Sequence, residues 1–141
     1  MLNLEPLLRA RLDALGLYKG VWGLGDFNAE KIKPTPCAYV IYDGARVLSQ
    51  QAGGAEARVA AHWLVAIAAK NVSRAGDGAA AREDAQALAE ATLAALLGWR
   101  PDRAHQPLHL VELPRPGYRA GTIFLPLVFS SESVLVAPGD D

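Results

Sequence analysis

A single cysteine among 141 residues, Cys37, leaves no partner for an internal disulfide. That excludes a secreted disulfide framework and makes a reducing cytoplasm the expected setting. An excess of one charge is also missing: 14 basic residues face 15 acidic ones, for a formal net charge of -1. This balance gives no electrostatic basis for binding nucleic acid or an anionic membrane. Long hydrophobic runs are absent too. The most apolar stretch, Val59 to Ala69, is interrupted by His62 and is far too short to span a bilayer. The opening segment, MLNLEPLLRARLDALG, sets Glu5 and Asp13 among its leucines and does not read as a signal peptide. There is no internal repeat. The expectation is a soluble, cytoplasmic chain of one domain, residues 1–141, long enough for a real core.

The leucines supply the first element. Leu4, Leu8, Leu12 and Leu15 share one face at helical spacing, with Asn3 placed as N-cap, Pro6 in the first turn and Gly16 as the stop. Residues 17–36 hold Gly20, Gly23, Gly25, Pro34 and Pro36 and read mostly as loop, with a short strand near Tyr18–Trp22. CAYVIY at 37–42 is a strand. Asp43-Gly44 then signals a turn, so Arg46–Gln51 is expected to fold back as the second strand of a hairpin. Gly53-Gly54 marks another turn.

Residues 56–71 are rich in alanine, which suits a helix. Their larger members decide otherwise: Val59, Trp63, Val65 and Ile67 share one parity, and Arg58, His62 and Lys70 the other. Period two predicts a long strand with one buried face, and a helix is the alternative. Residues 71–78 read as loop, with Asp77 placed to cap the next helix. Ala79–Leu97 is that helix, with Ala85, Leu88, Thr92, Ala95 and Leu96 as its apolar stripe, closed by Gly98. Leu108–Leu113 is a short strand between prolines, Arg115–Tyr118 a turn, Gly121–Ser130 the last strand and 137–141 a frayed tail. The order predicts an α+β fold: a mainly antiparallel or mixed sheet packed against two helices in a single domain.

Candidate chemistry is sparse. Cys37 opens an apolar strand and reads as a small core residue rather than a reactive thiolate. Ser130 and Ser131 lack a G-x-S-x-G elbow. His105 and His109 are four apart, but Pro101 and Pro107 break any helix through them, and no nearby carboxylate is evident to complete a metal shell. Gly23-Leu24-Gly25-Asp26 lacks the third glycine and the lysine of a phosphate loop. Glu83, Asp84 and Glu90 read as the solvated face of their helix. Arg100, Arg103, Arg115 and Arg119 lie near one another in sequence without the interleaved aromatics of a nucleic-acid surface. No catalytic residue, metal ligand or cofactor site is expected.

The last strand is the unusual element. GTIFLPLVFSSE, residues 121–132, is apolar on both faces yet holds Pro126, which cannot donate to a ladder. Such a strand needs cover on both sides. One face suits the helices and the other a neighbouring subunit, with the proline at an edge or a bulge. Phe124, Pro126, Leu127 and Phe129 are therefore the candidate subunit-interface residues, lying in the contact or in the core directly beneath it. Burial of both faces within one monomer is the alternative.

Three stretches together resemble a known family. They are PCAYVIYDG at 36–44, the strand ending in Lys70-Asn71, and LLGWRPD at 96–102 followed by a proline-bounded strand and the segment just described. This arrangement resembles the tail terminator, or tail completion, proteins of tailed bacteriophages, above all the small minor tail proteins of Mu-like prophages. The likeness spans about residues 36 to 131, and its motifs serve turns and packing, not catalysis. The resemblance implies a compact α+β fold and a homo-oligomer, a ring of six subunits. It implies that the ring caps the head-proximal end of the tail tube, stops its polymerisation and offers a surface to the head–tail connector protein. The implied partners are further copies of itself, the tail tube protein and the connector, with no membrane and no specific nucleic acid. The implied setting is the bacterial host cytoplasm during assembly and then the virion tail. A small cytoplasmic α+β enzyme or ligand-binding module is the competing reading, supported only by the generic fold.

Overall fold

The structure is a computed structural model and describes residues 2–28, 31, 33–70, 79–119 and 121–138. Helix α1 (Leu4–Asp13) buries Leu4, Leu8 and Leu12 completely. Each such side chain contributes about 1.5–3 kcal/mol relative to exposure. Asn3 holds the N-cap position but has helical backbone angles and makes no side-chain cap bond. Gly16, at φ +69°, returns its N–H to the Asp13 carbonyl at 3.1 Å and ends the run. Strand β1 (Gly20–Gly23) pairs in parallel with the start of β2.

Strand β2 runs unbroken from Cys37 to Gln51, which corrects the expected hairpin. The 15-residue β3 (Glu56–Lys70) pairs along it from Cys37↔Ala68 to Gln51↔Glu56, with His62 skipped at a bulge. Asp43-Gly44 is a bulge and not a reversal: the register shifts between Tyr42 and Ala45, and again between Val47 and Ser49. Gly44 takes φ +88°, which only glycine adopts cheaply, so a turn-type dipeptide here bends a strand instead of closing one. The chain reverses later, through a 3-10 turn at Ala52–Gly54.

Strand β3 is the centre of the sheet, as its period-two pattern predicts. Val59, Trp63, Val65 and Ile67 are all buried, and the last three pack in the core beneath the helices. The expected loop at 71–78, with its Asp77 cap, lies outside the described residues. Helix α2 (Ala79–Leu96) buries its stripe of Ala85, Leu88, Thr92, Ala95 and Leu96 on the same side. Gly98 at φ +74° turns the chain, donating to the Leu108 carbonyl at 3.0 Å.

Strands β4 (His109–Glu112) and β5 (Gly117–Arg119) are short, and β5 includes Gly117 and Tyr118, expected as part of a turn. Strand β6 spans Thr122–Val136, six residues beyond the expected end at Ser130. It continues because Ser131 and Ser133 turn inward, with Ser131 Oγ donating to the Gln106 carbonyl at 2.7 Å, while Glu132 meets Arg58 at 3.6 Å. The Ala137 N–H bonds the Ala55 carbonyl at 2.8 Å, and residues 139–141 of the expected frayed tail lie outside the described ones. The sheet order is β1-β2-β3-β6-β4, with β5 also on β6, and all pairs except β1–β2 are antiparallel. This is a mixed sheet with two helices on one face, a single α+β domain.

Candidate assembly surface

The two faces of the sheet differ in cover. The first face carries both helices over Val40, Trp63, Ile67, Leu127 and Phe129. The second has a small cluster of Cys37, Tyr39, Ala66 and Ala68, flanked by half-buried Trp22, Ile41, Leu64 and Phe124. No helix residue belongs to it. Its cover comes from Phe27, whose ring meets Tyr39 edge-on at 5.1 Å and Phe124 at 6.1 Å. Lys33 adds its ammonium 4.8 Å above the Trp22 ring. Burial pushes both the Cys37 thiol and the Tyr39 phenol up, so these two groups stay neutral near pH 7.

The four candidate interface residues divide between these faces. Leu127 and Phe129 are 2% and 0% exposed and belong to the helical core. Phe124 and Pro126 are half-buried on the second face, opposite Ala68 and Ala66. Pro126 is neither at a bulge nor on an outermost strand, because β3 and β6 keep one register from Glu56↔Val136 to Lys70↔Thr122. Its tolerance has a local cause. On the outer side β5 stops at Phe124 and β4 begins at Val128, so neither pairs with residues 125–127. The missing donor falls in that gap, where the outer side of the strand is locally edge-like.

The residues considered for chemistry are occupied with structure. Cys37 is buried. Gly23 gives its N–H to the Asp26 carboxylate at 3.1 Å, so the candidate phosphate loop binds its own acid. Arg100 reaches the carbonyls of Asp102, Arg103 and His105 at 2.9–3.1 Å and pins that turn. His105 and His109 separate: the first is buried and the second is exposed on β4. A carboxylate does stand beside His105, which sequence spacing did not reveal: Asp102 Oδ1 lies 2.7 Å from its Nδ1. This hydrogen bond, with one from the Ala104 N–H, holds the Asp102 carboxyl below its usual range. Among the described residues no three His, Cys, Asp or Glu side chains gather to hold a metal. No helix among them is long and apolar enough to cross a membrane.

Among the described residues, the distinctive feature of this small α+β protein is an apolar sheet face. Its sequence matches the family model of the phage tail terminator protein over residues 1–137. The chain belongs to that family and has a structural role in phage tails. A solved structure with the same fold comes from the virion of a native gene transfer agent particle. It is 18% identical, with TM-score 0.52, over 95% of this chain and 89% of that one. No curated protein matches in sequence.

Proposed function

We propose that six copies of this chain close into a ring that caps the head-proximal end of a phage tail tube. Family membership across residues 1–137 supports this reading, and the half-buried second face supplies a surface for it. Phe124 and Pro126 contact a neighbouring subunit, with Leu64 and Ile41 around them. Leu127 and Phe129 act one layer beneath by fastening β6 to the helices, so the contact residues keep their places. Alanines at 60, 66 and 68 leave the face shallow enough for close approach. A ring that fits the last tube ring and presents no site for another ends polymerisation by shape alone. Its opposite surface then meets the head–tail connector. Assembly takes place in the bacterial host cytoplasm, and the ring stays in the virion tail. No cofactor or metal enters this function, and no specific nucleic-acid contact does.

The test is to polymerise the cognate tail tube protein with and without this protein and to measure tube lengths by electron microscopy. Tubes that stop growing, with extra density at one end, are expected. Tubes that lengthen equally in both samples contradict the capping role.

A further inference from the structure

Among the described residues the sheet has two outer edges without a strand partner. On one side β1 covers β2 only over Cys37–Val40, so no described strand pairs with the outer edge of β2 from Ile41 onward. On the other side β4 is outermost. Both edges are apolar and charged at once. Val47 and Leu48 are 55% and 40% exposed beside exposed Arg46, and Val111 is 49% exposed beside exposed Glu112.

We propose that Arg46–Ser49 of β2 pairs with His109–Glu112 of β4 in a second copy of the chain, so that one sheet continues from subunit to subunit. This rests on the ring reading and adds a strand-edge contact to the face contact at Phe124 and Pro126. Strand direction fits. Each step from β2 to β3, β6 and β4 is antiparallel, so β2 of one copy laid beside β4 of the next in a continuing sheet runs antiparallel to it. Facing fits too. Arg46 shares the row of Ala60, and Glu112 shares, through Val128, the row of Leu64; both rows lie on the second face. Val47 lies in the row of Val59 and Leu110 in that of Trp63, both on the helical face.

A stagger of four residues along β3 sets Arg46 opposite Glu112 and Ser49 opposite His109, and Val47 and Leu48 then meet Leu110 and Val111. Stagger of this kind is what closing a sheet into a cylinder requires. The occupant is a second copy because the chain displays both halves of the contact, with opposite charges, on opposite sides of one sheet. Such a contact is heterologous and repeats until rotation closes it. The uncovered strand edges find hydrogen-bond partners in each other.

The experiment is a charge-swap cycle read by light scattering at low salt. Arg46→Glu and Glu112→Arg should each weaken association by about tenfold or more, and the double variant should return to within about threefold of the wild type. Circular dichroism checks that each variant is folded. If a reversal unfolds the chain, Arg46→Gln and Glu112→Gln replace the pair, and two together should cost no more than one. Singles that leave rings intact, or a double that restores nothing, overturn this edge contact while the ring stands. A wild type that is monomeric at every concentration removes the ring reading and this contact with it.

Discussion

The hydroxyls of Tyr18 and Thr92 lie 2.6 Å apart in the core, tying the segment after α1 to the middle of α2 across 74 positions of sequence. Both residues are nine-tenths buried or more, so neither hydroxyl has water as a substitute partner. Removing one leaves the other unsatisfied. Tyr18→Phe and Thr92→Val should each cost about 1–3 kcal/mol in urea unfolding, and the double variant less than their sum.

Burial also pushes the Tyr18 phenol from 10.0 up to about 12, against a smaller opposing effect of the Thr92 bond. The folded state therefore holds its proton more tightly than the unfolded state. Its contribution is full below pH 10 and is lost as pH rises from 10 through about 12, amounting to about 2–3 kcal/mol. Cys37 and Tyr39 shift in the same direction and add to the alkaline loss. Melting curves from pH 8 to 12 should fall more steeply for the wild type than for Tyr18→Phe.

Asp102 gives the opposite sign. Its carboxyl is held below 3.8 by His105 first, so its contribution is present above that value and is lost as pH falls through the lowered one. Asp102→Ala takes away the partner of His105 Nδ1 and of the Ala104 N–H. It should cost about 1–3 kcal/mol at pH 7 and flatten the acid limb of the stability profile below pH 4, both read by urea unfolding.

The proposed interface divides β6 between folding and assembly. Leu127→Ala should lower monomer stability by about 2–5 kcal/mol, because the side chain is buried against the helices. Phe124→Ser should leave a folded chain whose self-association is weakened. Unfolding and light scattering on both variants check the division. Equal effects of the two on both readouts would place Phe124 in the core alone.

Among the described residues a side chain at Gly44 would meet open space, so its requirement is conformational and not spatial. Gly44→Ala should cost about 1 kcal/mol through the positive φ, without changing oligomeric state. Urea unfolding and light scattering report the two parts.

The alanine-rich centre of the sheet was legible because Val59, Trp63, Val65 and Ile67 alternate in a way no helix face reproduces. The helical stripes of α1 and α2 were legible for the same reason of period. Asp43-Gly44 misled because a dipeptide states a local bend, and only the length of β3 shows that the strand continues past it. The end of β6 was hidden because Ser131 and Ser133 look like solvent residues until the Gln106 segment crosses beside them. The two-sided burial of β6 was half legible. A two-sided apolar strand announced that a second cover was needed, but which of Phe124, Pro126, Leu127 and Phe129 faced it depended on where the helices sit.

The most direct measurement is the mass of the purified protein by light scattering over a wide concentration range, with negative-stain images of the largest species. A closed species of about six subunits, seen as rings, is the predicted result. A monomer at every concentration, with no ring in the images, would contradict the account.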